Sequence, residues 1–149
     1  MAGFSLIADP DTTEYRTVRT SGSQAYTIGD LVVQDFTADA LDVVPATSAI
    51  GTEPSTVYGV AMQTIAAAGT TLLVALVSSR QRWAADTTNN TVVNDQMERM
   101  IMGASASVVN NTHTDDTSDE AVFQQLGVIG ALTAKRIVGR FLVATGVTA

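Results

Sequence analysis

The stretch from Val57 to Val77 restricts the possible folds more than any other part of the sequence. Side chains of residues 57–64 alternate with a period of two and place apolar groups on both faces, which is typical of a strand that is covered on both sides or forms a barrel wall. Residues 70–77 are nearly all apolar, as in a buried strand. We therefore predict a β-hairpin in which residues 57–64 pair with residues 70–78.

The connection of this hairpin reads IAAAG and ends at Gly69, which can adopt the left-handed backbone of a turn. Helix is the alternative for residues 65–68 because alanine favours it. Four residues are too few to nucleate a helix alone, so we expect a turn.

Further strand signals lie on both sides of the hairpin. Within residues 24–35, apolar side chains flank the dipeptide Gly29-Asp30, which predicts two short strand pieces around a tight turn. Pro45 removes a backbone donor after two valines, so we expect an edge strand that enters a loop there. The chain closes with two predicted strands, at residues 121–129 and 136–143.

The segment between these strands allows at most one short helix. Asn94 is suited to cap a helix over residues 95–100, with acidic Asp95 in its first turn. Alternatively, residues 99–109 form a strand that Gly103 interrupts. We favour a short helix or turn followed by a strand. The predicted fold class is therefore all-β, a small β-barrel or β-sandwich with a β-tulip-like shape.

The length of 149 residues indicates a single β domain over residues 23–149, preceded by an extended N-terminal arm at residues 1–22. The arm has little power to bury itself, so either the body of the fold or a neighbouring subunit must hold it. The chain has no cysteine, which excludes disulfides and cysteine-ligated zinc. We expect a soluble protein, because no apolar run reaches the roughly 20 residues that span a bilayer.

Charge patterning limits the possible partners. The net charge of −7 disfavours nucleic acid, whose phosphates an acidic surface repels. Charged residues make up only 15% of the chain, below the usual quarter, so we expect much of the surface to be covered in an oligomer or assembly. Seven of the eight basic residues are arginine, which is the cation enriched at protein interfaces.

Catalytic signatures are missing from the sequence, including phosphate-binding, dinucleotide-binding, zinc-protease and nucleophile-elbow motifs. The acidic residues within 115–120 do not have the spacing of a calcium loop, and we expect a solvated loop there. His113 is the only histidine and is interpreted as a loop residue. Two Asn-Asn-Thr sequences, at 89–91 and 110–112, are interpreted as turns, although they formally fit glycosylation acceptors. We expect no enzymatic activity, cofactor or metal.

The sequence Arg80-Gln81-Arg82-Trp83 presents the only tryptophan between two arginines. One interpretation packs Trp83 on the core edge with the arginines in solvent; the other is an interface anchor, since tryptophan and arginine dominate such anchors. The predicted partner-binding residues come from this motif and from the arm: Phe4, Leu6, Ile7, Tyr15, Arg16, Arg19, Arg80, Arg82 and Trp83.

The order of several segments resembles small structural proteins from the heads of tailed bacteriophages. These are GDLVVQD, a Pro-Ala-Thr-Ser loop, VYGVAMQTIAAAGTTLLVALV, Trp-x-Ala-Asp-Thr-Thr-Asn-Asn and a final IVGRFLV strand. The sequence is similar to the head-decoration or cement class. Segment 91–120 departs from this pattern by being longer than a minimal decoration domain requires.

The resemblance implies a structural virion protein that binds the outer surface of the capsid lattice, bridges major capsid protein subunits and commonly forms a homotrimer. Its expected location is the capsid exterior, without contact to nucleic acid or membrane. Two alternatives stay open: another virion component, such as a tail-tube or head-to-tail connector subunit, and a small carbohydrate-processing or carbohydrate-binding protein that uses the acidic residues at 115–120.

Overall fold

The all-β prediction is confirmed by a computed structural model, which describes residues 3–9, 13–20, 24–35, 39–47, 57–66, 71–111 and 121–142. The strands are β1 Ser5–Ala8, β2 Tyr15–Thr20, β3 Leu31–Asp35, β4 Asp39–Pro45, β5 Val57–Ala61, β6 Thr71–Leu76, β7 Arg82–Thr87, β8 Arg99–Met102, β9 Val108–Asn110, β10 Phe123–Val128 and β11 Arg136–Phe141. Two 3₁₀ turns, Val93–Asp95 and Leu132–Ala134, are the helical elements of the described ranges.

The first half of the chain forms a closed barrel, here called the first barrel, in the order β2-β4-β3-β5-β6. The predicted hairpin is its centre: β5 and β6 are antiparallel, and Val60 pairs with Ala75. Strand β2 closes the ring because it pairs in parallel with β4 and in antiparallel with β6. A closed ring leaves no free sheet edge in this barrel.

The second half forms a sheet in the order β1-β7-β11-β10-β8-β9. A parallel pairing of β7 with β9 closes five of these strands into a second barrel and leaves β1 at the edge of the sheet. The predicted C-terminal strands are present as β10 and β11, which pair in antiparallel. The second barrel therefore contains only strands that follow residue 81.

Two apolar clusters hold these barrels. One lies within the first barrel and includes Val32, Leu72 and Val74, with Tyr26 donating its hydroxyl to the carbonyl of Val43 at 2.7 Å. The other contains residues of both barrels, from Leu31 and Val60 of the first to aromatic residues of the second. This second cluster is therefore shared by the two barrels and joins them.

The predicted arm is part of both sheets within its described residues. Strand β1 pairs with β7 of the second barrel, and β2 is a wall strand of the first. Of the two ways of holding this segment, the described residues show attachment to the body of the same chain.

Two local predictions need correction. Strand β4 is not an edge strand, because it lies between β2 and β3; Pro45 is tolerated because β2 pairs only with residues 42 and 43, before the proline. The helix considered for residues 95–100 is absent; a 3₁₀ turn lies earlier, at Val93–Asp95, and β8 begins at Arg99, in agreement with a turn followed by a strand. The predicted turns at the two Asn-Asn-Thr sequences agree with the structure in its described residues: residues 88–89 bend after β7 ends, Asn111 lies in a turn after β9, and the side chain of Asn111 contacts Asn89 and Asn90.

Candidate interaction surface

Chemistry-bearing groups are sparse in the described ranges, where no cluster of three His, Cys, Asp or Glu side chains is arranged to hold a metal ion. Burial raises the pKa of Asp30 above its ordinary value, although the amide of Thr27 donates to its carboxylate at 2.9 Å and opposes this shift. The exposed guanidinium of Arg16 donates hydrogen bonds to Tyr58 and Glu14, and these bonds raise its pKa. His113 and the acidic segment 115–120 lie outside the described residues.

An apolar cleft of about 230 Å³ lies at the seam between the two barrels. Strand β1 supplies Ser5 and Leu6 on one side, and Tyr15 of β2 lies on the other. The first barrel contributes Ile28 and Met62 from the segments that precede β3 and follow β5. The cleft is bounded below by residues of the cores: Phe4, Gly29, Ala61, Ala75 and Trp83.

Phe4 is the anchor that positions β1 at this seam. Its amide donates to the carbonyl of Gly29 at 2.9 Å, and its buried ring lies 4.9 Å from that of Phe141 and 5.5 Å from that of Phe123. Aromatic pairs at such distances add about 0.5–1.5 kcal/mol beyond area burial. The segment before β1 is thereby joined to both barrels.

Polar contacts fix the segment just before the anchor. Gly3 adopts a left-handed backbone with φ of 83°, and its amide donates to a carboxylate oxygen of Asp86 at 2.8 Å. Arg136 bridges this region, because it donates to Asp86 at 2.6 Å, to the carbonyl of Gly3 at 3.0 Å and to the hydroxyl of Ser5 at 3.0 Å. A Cβ on Gly3 would lie 2.7 Å from the carbonyl oxygen of Gly29, so glycine is needed for this close approach.

Trp83 lies beneath the seam and is 1% exposed. Its indole donates to Oε1 of Gln81 at 3.0 Å, and its ring meets that of Phe141 edge to face at 5.7 Å. The single hydrogen-bond donor of the buried indole is therefore satisfied within its own chain. This corresponds to packing in the core, the first of the two interpretations of Trp83.

Four exposed apolar side chains surround the mouth of the cleft or adjoin it on β1. We call this set the seam patch: Leu6, Ile7, Tyr15 and Ile28. Ile7 and Tyr15 are each 53% exposed, which is a high value for large apolar groups. Contiguous exposed apolar patches on soluble proteins typically mark sites of interaction.

A second set of exposed apolar side chains lies on the two 3₁₀ turns of the second barrel and the residues beside them. We call it the turn patch: Val92, Val93, Met97 and Leu132. Both the amide and the hydroxyl of Thr91 donate to the carbonyl of Leu132, at 3.0 and 3.2 Å, which brings the two turns together. Together the two patches account for all of the large apolar side chains of the described ranges that are classed as exposed.

Buried glutamines hold the turn patch in place. The amide of Gln125 donates to the carbonyl of Val92 at 3.0 Å, and that of Gln124 donates to the carbonyl of Met97 at 2.9 Å. The backbone amide of Met97 donates to the carbonyl of Gln125, and Met97 adopts a left-handed conformation with φ of 71°. That conformation costs a residue other than glycine roughly 1–2 kcal/mol, so the surrounding bonds must enforce it.

The structure brings together four of the predicted partner-binding residues at the seam cleft: Phe4, Leu6, Tyr15 and Trp83. A partner cannot contact Phe4 or Trp83 directly, because both side chains are buried in the core. Ile7 adjoins the cleft on β1.

The predicted arginines lie at different places. Arg16 pairs with Glu14 at 2.6 Å, and Arg19 pairs with Asp42 at 2.8 Å. Arg82 donates to the carbonyls of residues 79, 80 and 81, whereas Arg80 is exposed. The Arg16–Glu14 pair is exposed on both sides and contributes little to stability, whereas the side chain of Asp42 is only 16% exposed.

The turn patch was not predicted from the sequence. Its residues are single apolar groups within polar surroundings, without the period of a strand or helix. Their proximity depends on hydrogen bonds between segments about 40 residues apart, such as the Thr91–Leu132 pair with a separation of 41. The consecutive valines beside Asn94 are the only local signal, and they do not reveal exposure.

Comparison with known proteins yields no matching family model and no matching curated protein. Among the described residues, no helix is long and apolar enough to cross a membrane. The functional argument therefore depends on the two patches and on the scaffold that carries them.

Proposed function

We propose that this protein is a structural virion component, a decoration or cement protein that binds the outer surface of a capsid lattice and stabilises the head by bridging major capsid protein subunits. In this role it acts as a homotrimer on the capsid exterior, without enzymatic activity, cofactor, nucleic acid or membrane. The proposal starts from the resemblance of residues 24–145 to head-decoration proteins.

One observation carries the proposal: the exposed large apolar side chains of the described ranges form two patches on the barrels, and those ranges contain no group of three His, Cys, Asp or Glu side chains that could hold a metal ion. A catalytic or ligand site would place convergent polar groups in its cleft. The seam cleft instead has a mainly apolar lining, with Ser5 and Tyr15 as its residues that carry a hydroxyl. This arrangement suits a protein whose task is to bury surface against other proteins.

Charge supports the same role. All eight basic residues and nine of the fifteen acidic residues belong to the described ranges, so the scaffold itself is nearly neutral. A nearly neutral surface with apolar patches associates with proteins at a low electrostatic cost. The remaining acidic residues, including those at 115–120, favour solubility of the assembled particle.

The test uses purified heads that lack this protein. Deletion of residues 2–20 would remove β1 from the edge of the second sheet and β2 from the wall of the first barrel, and we expect it to prevent folding. Single changes at exposed positions avoid this loss. We expect Ile7→Glu and Tyr15→Glu to weaken binding to such heads by at least tenfold in a sedimentation assay, because each places a charge in the seam patch.

The matched control is Ala104→Glu, at an exposed alanine outside both patches. It should bind as the unmodified protein does, and bound protein should raise the temperature at which heads release their contents. Equal binding by all variants, or tubes and rings formed by the purified protein in negative-stain images instead of head binding, would contradict the proposal.

A further inference from the structure

Three arginines lie in one row across the outer face of the second barrel. Arg99 of β8 pairs with Gln124 of β10, and Gln124 pairs with Arg140 of β11. Continued by one position, the register between β11 and β7 places Arg82 opposite Arg140. The residue that follows each arginine in its strand is buried in the core: Met100, Phe141 and Trp83. Because side chains of a strand alternate between its two faces, the arginines point outward. We call Arg82, Arg99 and Arg140 the basic row.

Within the described residues, no carboxylate pairs with the basic row. Arg82 donates there to the backbone carbonyls of residues 79, 80 and 81, and Arg140 donates to Oε1 of Gln124 at 2.8 Å. Arg99 has neither a hydrogen bond nor an ion pair in this part of the chain. Like charges directly opposite each other destabilise a sheet. Negative charge from a bound partner would remove the repulsion between Arg140 and Arg82.

Acidic side chains near the Arg82 end of the row contact other groups. Asp9 follows Ala8, which is the partner of Arg82 in β1, and its carboxylate accepts hydrogen bonds from Thr13 and Gln81. The carboxylate of Asp86, four positions beyond Arg82 in β7, binds a different arginine of β11 at 2.6 Å.

The other end of the row adjoins the turn patch, where charges of both signs occur. Asp95 and Glu98 are the acidic residues of the segment before β8, and Glu98 has a contact of its own. The exposed Lys135 adds a positive charge beside the second turn. Arg99, Lys135 and Arg140 therefore outnumber the two acidic residues here. This part of the surface is positive, although the whole chain has a net charge of −7.

The side chain of Gln124 joins the basic row to the turn patch. Its Oε1 accepts Nε of Arg140 at 2.8 Å, and its amide donates to the carbonyl of Met97 at 2.9 Å. Gln124 is itself buried, which fixes both bonds. Met97 and Val93 of the turn patch are 55% and 61% exposed. Exposed apolar groups and guanidinium groups without carboxylate partners are thereby held side by side.

We propose that the basic row and the turn patch together bind an acidic segment of a partner protein, one that carries apolar side chains between its carboxylates. Guanidinium groups bind carboxylates through paired, charge-assisted hydrogen bonds. The apolar side chains of the segment cover Met97 and Val93. Nucleic acid fits less well, because the net charge of −7 repels a long polyanion and its phosphates leave the apolar groups uncovered. The inference rests on the proposed function in taking the partner to be a protein.

Fluorescence anisotropy with short labelled peptides tests this surface. A peptide of glutamate and leucine should bind the unmodified protein, a peptide of lysine and leucine should not, and added salt should weaken binding. Arg99→Gln should weaken binding by about threefold to tenfold, because it removes a charge-assisted hydrogen bond at a partly exposed site. Adding Arg140→Gln should weaken it further. Equal affinity for a peptide of glutamate and serine would overturn the role of the turn patch.

Arg16→Gln is the matched control, because it makes the same change in net charge on β2 of the first barrel. It should bind the peptide as the unmodified protein does. A loss equal to that of Arg99→Gln would indicate general charge attraction and overturn the proposal. Failure of the glutamate and leucine peptide to bind, or tighter binding of a single-stranded oligonucleotide, would also overturn it.

The acidic residues within 115–120 of the same chain are a competing occupant of the row. A variant with Asp115→Asn, Asp116→Asn and Asp119→Asn distinguishes the two occupants. Equal peptide binding by this variant and the unmodified protein would support an external partner. Peptide binding by this variant alone would show that the chain covers its own row, and would overturn the proposal.

Head binding by the same variants separates this inference from the proposed function. Peptide binding that depends on Arg99, in a protein that does not bind heads, would support the acidic partner and reject the decoration role. Head binding that is equal for Arg99→Gln and the unmodified protein, without any peptide binding, would support the decoration role and reject the acidic partner.

Discussion

The indole of Trp83 donates a buried hydrogen bond of 3.0 Å to the side chain of Gln81, two residues earlier in the same motif. The same Oε1 atom accepts the amide of Ser78 at 2.8 Å, and the Gln81 amide donates to the carbonyl of Leu76 at 3.1 Å. One buried glutamine therefore satisfies the turn between β6 and β7 as well as the only tryptophan.

Replacement of Gln81 by leucine should destabilise the protein by about 2–4 kcal/mol, because it leaves the indole and at least one backbone group buried without a partner. Urea unfolding followed by tryptophan fluorescence measures the loss. The matched control is Gln63→Leu, where an exposed glutamine accepts the amide of Leu73. Water can replace that bond, so the control should lose less than about 1 kcal/mol.

Gly139 allows β10 and β11 to approach closely. A Cβ at this position would lie 2.2 Å from the carbonyl oxygen of Gln124 and 2.4 Å from the ring of Phe123. Both are fixed in the sheet or core, so we expect Gly139→Ala to cost about 3 kcal/mol or more, or to prevent folding.

Gly127→Ala is the control for this prediction, since its Cβ would meet only a side-chain carbon of Val138, at 3.3 Å. Thermal unfolding should show a much smaller change for this variant. Similar losses at both positions would contradict the close approach at Gly139.

Asp30 should make a pH-dependent contribution to stability. Its pKa is raised in the folded protein by burial, so the folded state binds the proton more tightly than the unfolded state does. This contribution is present below the ordinary value of 3.8 and is lost as pH rises through the folded pKa. Because the group is only about half buried, the effect should be well under 1 kcal/mol.

The variant Asp30→Asn removes this ionisation but keeps an oxygen that can accept the amide of Thr27. Its stability relative to the unmodified protein should be higher at pH 7 than at pH 3. Denaturant unfolding across this range measures the difference, and a difference that does not vary with pH would exclude the effect.

The half-buried pair between Arg136 and Asp86 should control how firmly β1 is attached. Arg136→Met removes the bonds to Asp86, to Gly3 and to Ser5, and we expect a loss of roughly 2–3 kcal/mol. Hydrogen exchange should show faster exchange at the amides of Phe4 and Leu6 than in β5.

Arg16→Met is the matched control, because the side chains of Arg16 and Glu14 in this pair are 43% and 56% exposed. It should change stability far less than Arg136→Met does and leave exchange in β1 unaffected. Uniform acceleration throughout the second barrel in Arg136→Met would instead indicate global unfolding.

The sequence was sufficient for elements whose pairing is local. The β5–β6 hairpin follows from the period of residues 57–77, and β10 and β11 follow from apolar runs separated by a short connection. The division into two barrels depends on the parallel pairs β2–β4 and β7–β9, which join strands that are not adjacent in the sequence. No local period specifies such pairs. The sequence therefore predicts an edge strand before Pro45, because the parallel pairing of β2 with β4 is not visible in it.

Part of the candidate site was also predictable. The sequence predicts Leu6, Ile7 and Tyr15 as partner-binding residues because they are apolar residues of an N-terminal segment that has little power to bury itself. The structure places them at or beside the seam. Phe4 and Trp83 belong to the same predicted partner-binding set, but both are buried because they pack against residues distant in the sequence, such as Phe141. The exposure of Met97 is not predictable from the local sequence, because its backbone is held by hydrogen bonds with Gln124 and Gln125, which lie 27 and 28 positions later.

The attachment of β1 has a consequence for synthesis of the chain. The first barrel needs only residues 15–76, so it can close while later residues are still being made. Arg136, whose side chain donates a hydrogen bond to the carbonyl of Gly3, lies 133 positions after Gly3 in the sequence. The contacts of Arg136 with Gly3 and Ser5 can therefore form only after the last strand, β11, has been made, at a synthesis rate of roughly 5–20 residues per second, although β1 can pair with β7 before that. The seam is expected to be the final part of the molecule to form.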